Sequence, residues 1–100
     1  MEHEAVELTD AWVAAGNVVV TELGDGLALL NLATNEYFSL NEVGAFVWTV
    51  LQTPRPRREI VRAVTEKYEV AAEVCAADVD LLLEELRNAA LAEQQLGAAA

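Results

Sequence analysis

The pattern of apolar and polar positions changes period along the chain. Asn17 to Leu23 (N-V-V-V-T-E-L) is rich in β-branched residues and reads as a strand. Gly24-Asp25-Gly26 is turn chemistry, because glycine and aspartate tolerate positive φ. Leu27 to Leu32 predicts a second strand, Ala33-Thr34-Asn35 a tight turn, and Glu36 to Leu40 a short third strand. From there the period becomes helical. Asn41 is a good N-cap and Glu42 suits the first turn, and Val43, Val47, Trp48 and Leu51 form a stripe to about Gln52. Thr53-Pro54-Arg55-Pro56 stops that helix, and Pro56 can open the next. Ile60, Val61, Val64 and Tyr68 give the second helix its apolar face. A third runs from about Ala72 to Ala92, with a main stripe of Val79, Leu82, Leu83, Leu86 and Ala90.

The order predicts an α+β, winged helix-turn-helix-like domain: a three-stranded antiparallel sheet followed by three helices. Its expected extent is 17–93. Residues 1–16 read as a partly ordered N-terminal segment that Leu8, Trp12 and Val13 tack onto the domain or onto a second copy. Residues 94–100 read as a flexible tail. With three strands the sheet does not close, so the third keeps a free edge unless something covers it.

Charge narrows the classes of partner. The chain has 100 residues, 54% of them apolar, and a net charge of −11. No Lys or Arg precedes Arg55, and Arg55, Arg57, Arg58 and Arg62 cluster. So acidic a surface repels phosphate backbones and anionic membranes, and it favours solubility and steers basic partners. No run approaches a membrane span, and the acidic start is unlike a signal peptide, so a cytoplasmic protein is expected.

Candidate catalytic chemistry is sparse, and no enzyme activity, cofactor or metal is expected. The one histidine, His3, sits near the terminus, and the one cysteine, Cys75, reads as a packing residue without a histidine partner. Asp78, Asp80, Glu84 and Glu85 read as a solvated helix face, because no glycine-containing calcium loop accompanies them.

Two features invite a binding function. Leu81-Leu82-Leu83 spans about 200° of helix surface, more than one packing layer needs. Leu81 falls off the main stripe, and Val74 shares its meridian. Either the helix touches the N-terminal segment or a second chain there, or an apolar groove lies beside it, flanked by Asp78 and Glu85. Adjacent Tyr37 and Phe38 point to opposite sheet faces. They are either core and rim of a small domain, or neighbours of a sheet edge suited to strand addition.

Leu30-Asn31-Leu32, then Asn35 to Gly44 (N-E-Y-F-S-L-N-E-V-G) with Trp48 beyond it, resembles the PqqD-like family. Glu59-Ile60-Val61, Tyr68-Glu69-Val70, Asp78-Val79 and Leu82 to Leu86 extend the likeness over about residues 17–93. Pro54-Arg55-Pro56 departs from it, since a glycine-containing turn is common there. The resemblance implies a stand-alone element that binds the leader of a ribosomally synthesised, post-translationally modified precursor peptide. The leader would add as an antiparallel strand to Glu36, Tyr37, Phe38, Ser39 and Leu40, facing Asp78, Leu81, Leu82, Glu85 and Leu86. In lasso-peptide biosynthesis the implied partners are a transglutaminase-like cysteine protease and an ATP-dependent cyclase. In the PqqD type proper the partner is a radical SAM enzyme. A rival from another class is a winged-helix transcriptional regulator, for which the arginine cluster is the electrostatic support. A structural subunit is a third reading. The oligomeric state is left open by the sequence.

Overall fold

The computed structural model describes residues 11–95. Leu8, His3 and the tail from Leu96 lie outside the described residues. Among the described residues, two antiparallel three-stranded sheets and three helices enclose one core. β2 (Val18–Leu23), β3 (Gly26–Asn31) and β4 (Glu36–Leu40) form the expected meander, in the order β2-β3-β4. The register is unbroken from Val18↔Asn31 to Leu23↔Gly26, and from Leu27↔Leu40 to Asn31↔Glu36. Leu29 and Leu40 enter the core, while Val19, Leu30 and Tyr37 share a row on the outer face.

Glycine at the start of β3 is required by crowding. A Cβ on Gly26 would lie 1.9 Å from the Leu40 carbonyl oxygen. Gly24, at φ 57, supplies the turn between β2 and β3. Asn35 at φ 66 closes the turn into β4, its N–H donating to the Asn31 carbonyl at 2.7 Å.

Helix α1 (Glu42–Val50) starts at its predicted cap: Asn41 Oδ1 accepts from the Gly44 N–H at 2.9 Å. Helix α2 (Arg57–Tyr68) begins after Pro56 and ends on Glu69, at φ 55. Helix α3 (Ala72–Asn88) packs on α2 through Cys75 and Val79. Burial pushes the Cys75 thiol pKa up, aided by nearby Asp78, and Sγ lies 3.6 Å from the Val61 carbonyl it donates to. This thiol is a packing group. On the surface Arg57 forks onto both carboxylate oxygens of Asp80, one contact being 2.9 Å, and ties α2 to α3. That hydrogen bonding holds the Asp80 pKa below its ordinary value.

The second sheet was not expected. β1 (Ala11–Ala14) lies between β5 (Arg55–Pro56) and β6 (Ala92–Gln95). Ala11 pairs with Pro56 on one side and Gln95 on the other, and Trp12 is buried in the core. Residues 11–14 are thus packed against the same core as 17–93, and Gln94 and Gln95 lie in a strand. Trp12 packs into its own chain.

Helix α3 also stops earlier than its periodicity predicts. Ala90 adopts φ 60, the Ala90 N–H donates to the Arg87 carbonyl at 3.0 Å, and the Leu91 N–H reaches the Leu86 carbonyl at 2.8 Å. This is a Schellman stop with alanine at the left-handed position that usually holds glycine. The early stop buries Leu91 and sends Ala92 onto the edge of β1. Ala90 is thus exposed and lies off the core stripe.

A left-handed alanine costs about 1–2 kcal/mol, so Ala90→Gly should raise stability by about 1 kcal/mol and the melting temperature by roughly 4–8 °C in a calorimetric scan. Asp80→Asn should cost at most about 1 kcal/mol near neutral pH, since the pair with Arg57 is solvent-exposed. Because folding lowers the Asp80 pKa, its contribution is complete above the unfolded carboxyl value of about 4 and is lost as pH falls through the folded one. Urea melts of wild type and Asp80→Asn should therefore converge in acid.

Candidate functional site

β4 is an edge strand, since β3 holds one side and no described strand pairs with the other. A groove of about 460 Å³ runs beside it. Phe38, Ser39, Leu40 and Asn41 form one wall, Val43 and Gly44 of α1 the floor, and Asp78, Leu81, Leu82 and Glu85 of α3 the far wall. Helix α1 packs on β4, and α3 stands across the groove from it. Gly44 lets α1 sit close on β4: a Cβ there would press on the Leu40 side chain at 3.1 and 3.2 Å.

Helical geometry explains the far wall. Val79, Leu83 and Leu86 take the core stripe. Leu82 lies at its margin, half-buried, and Leu81 is 62% exposed. Asp78 and Glu85 are exposed, seven residues apart and hence on one meridian, with Leu81 and Leu82 between them. The groove is thus an apolar strip with two carboxylates along it, and no basic side chain lines it.

Seven of the ten residues expected at the site line this groove: Phe38, Ser39, Leu40, Asp78, Leu81, Leu82 and Glu85. Glu36 and Tyr37 lie on the same edge strand but outside the groove. Tyr37 points to the outer sheet face and is 76% exposed. Leu86 does not line the groove: it is wholly buried, three residues on from Leu83 and on the same core-facing stripe.

A second, smaller pocket of about 110 Å³ opens where α1, the end of α2 and the start of α3 meet. Val43, Val47, Val64, Tyr68, Val70 and Val74 line most of it. It shares Val43, Asp78 and Leu82 with the groove, so the two adjoin. Its mouth has exposed Val70 and Val74, the latter 59% accessible. At its rim Phe46 and Tyr68 meet edge to face at 5.9 Å, and the Lys67 ammonium sits over both rings. In the sequence, Val43 reads as core and Tyr68 as part of the second helix's apolar face. The usable signal for the pocket was Val70, an apolar residue in a short connection, together with Val74 on the meridian of Leu81.

Among the described residues, no cluster of His, Cys, Asp and Glu could hold a metal ion, and no helix is long and apolar enough to cross a membrane. The arginine cluster is not on α3, whose exposed charges are mainly acidic.

The chain is similar to two solved structures. TbiB1 in complex with the TbiA(beta) leader peptide is 32% identical, with a TM-score of 0.72 over 81% of this chain and 94% of that one. Lasso peptide synthetase B1 complexed with the leader peptide is 22% identical, with a TM-score of 0.70 over 82% of this chain and 96% of that one, and shows the same fold. No curated protein matches the chain. The family model described as coenzyme PQQ synthesis protein D matches residues 26–92, which span β3 through the start of β6 and every residue of the groove. The chain therefore belongs to the PqqD family.

Proposed function

We propose that the protein binds the leader segment of a ribosomally synthesised precursor peptide in lasso-peptide biosynthesis, without itself catalysing a reaction, and delivers it to a separate cysteine protease. The observation that carries this reading is the unpaired edge of β4 with an apolar, acid-flanked groove beside it. The 32% identical TbiB1, seen with a leader peptide, supports the ligand class.

The mechanism is strand addition. The leader's main chain pairs antiparallel with Glu36 to Leu40, and its alternate side chains fall into the groove. One apolar leader residue seats in the pocket between Val43, Val70 and Val74, and a second rests on Leu81 and Leu82. A leader Lys or Arg lies opposite Asp78 or Glu85. Running antiparallel to β4, the leader meets the pocket end first, because β4 runs toward Leu40 and Val43. Its C-terminal side then leaves past Glu36 toward the protease, with the ATP-dependent cyclase acting later.

The acidic exposed surface of α3 disfavours the transcription-factor reading, since a recognition helix bearing Asp78, Asp80, Glu84 and Glu85 would repel the DNA backbone. Presentation to a radical SAM enzyme shares the leader-binding step and differs in the partner.

Fluorescence anisotropy with a labelled synthetic leader peptide of a lasso-peptide precursor tests the proposal. Saturable binding is expected, weakened at least about tenfold by Leu82→Glu in a folded variant. Asp78→Lys and Glu85→Lys should each weaken it several-fold at low salt, and less at high salt, as screening requires. Absence of binding by folded protein at high concentration would overturn leader recognition. Unchanged affinity in both charge variants at low salt would remove the electrostatic part.

A further inference from the structure

The two walls of the groove belong to different parts of the fold. β4 hangs from the β2-β3-β4 sheet, and α3 from the helical layer. Something must fix the distance between them. Asn31, the last residue of β3 and the partner of Glu36, is the one buried polar side chain among the described residues and is 1% exposed. Its Oδ1 accepts from the N–H groups of Ala33 at 2.8 Å and Thr34 at 3.2 Å. Its Nδ2 donates to the carbonyls of Ala89 and Ala90, each at 3.0 Å.

One amide thus builds the turn that launches β4 and also caps the C-terminal end of α3, whose last carbonyls have no partner within the helix. A primary amide suits the place because it carries two donors on one side and an acceptor on the other. A carboxylate would face two carbonyls with no proton to give, and a leucine would leave four main-chain groups unpaired.

At the other end of β4 a second asparagine, Asn41, caps α1 beneath the groove floor. The edge strand is therefore held at both ends, and Asn31 hydrogen-bonds the turn before it to the end of α3. We infer that Asn31 is a positioning residue: it touches no ligand and sets the separation and register of β4 against Asp78, Leu81, Leu82 and Glu85. This inference rests on the groove being the leader site.

Loss of a buried amide also destabilises, so the test must separate stability from placement. Ala90→Gly offers the means, since it relieves the left-handed alanine in the same turn without restoring the link. The test compares wild type, Asn31→Ala, and the double variant Asn31→Ala with Ala90→Gly. Each is measured at a temperature where circular dichroism reports it fully folded. One readout is anisotropy with the labelled leader, including its dissociation rate. The other is the amide NMR spectrum of the free protein.

The double variant should recover stability and yet bind the leader roughly tenfold more weakly, through faster dissociation, as a site held too loosely would. Amide shifts should move at Phe38 to Leu40 and at Leu81 to Glu85, remote from the substitution. Affinity that returns to the wild-type value with stability, with groove shifts unmoved, would overturn the inference and leave Asn31 a stabilising residue alone. Should wild type bind no leader, the functional reading falls by itself. The free-protein shifts then decide the positioning role: movement in the groove upholds it, and none overturns it.

Discussion

Of the four hydrogen bonds on one buried amide, two build the turn out of the sheet and two join it to the end of α3. Without Asn31, the turn into β4 and the end of α3 would be neighbours held by apolar contact alone, and apolar contact is poor at fixing direction. Burying a polar side chain completely is tolerable only when every donor and acceptor is satisfied, and here all are. The second sheet and the groove both depend on that fixed relation. The stop of α3 at Ala89 frees Leu91 to enter the core and Ala92 to pair with β1, which brings Trp12 into the same core. One local geometry thus sets the groove wall and the far side of the fold together.

The elements written in local pattern were legible. The β-branched run, the Gly-Asp-Gly turn, the Asn41 cap and the three helical stripes each depend on residues a few positions apart, and each appears where expected apart from Ala90, which leaves the third stripe. The second sheet depends on partners far apart in sequence. Ala11 meets Pro56 and Gln95, and neither A-W-V-A nor A-E-Q-Q carries a period strong enough to announce a strand. β5 is a two-residue strand carrying a proline, which sits on the sheet's edge as proline must. The end of α3 was overestimated for a related reason. Alanine is the best helix former, and nothing local says that Ala90 will leave the helix so that Leu91 can be buried.

The site divides along the same line. A leucine off the core stripe had to face outward, and Leu81 does. Leu81, Leu82, Leu83 and Leu86 together blur the margin between core and groove, and only the packing of α3 on its neighbours shows that the meridian of Leu86 is buried. The pocket between Val43, Val70 and Val74 was hidden because its walls come from separate parts of the chain and each valine, taken alone, passes for ordinary core.

That pocket matters energetically. An edge of five residues offers a peptide only a few main-chain hydrogen bonds, each worth about 1 kcal/mol net once exchanged for water. Association costs about 4–15 kcal/mol before any surplus appears. Strand addition alone would therefore be weak and indifferent to sequence, since every peptide has the same main chain. Affinity and selectivity must come from side chains seated in apolar space, where burial is worth about 25 cal/mol per Å². In the proposed binding mode the groove and the adjoining pocket would supply that space, and Asp78, which lines both, would favour a basic residue between them. An edge with no pocket would aggregate before it recognised anything. Here the edge faces a wall held at a set distance, so the strand that fits is one carrying the right side chains.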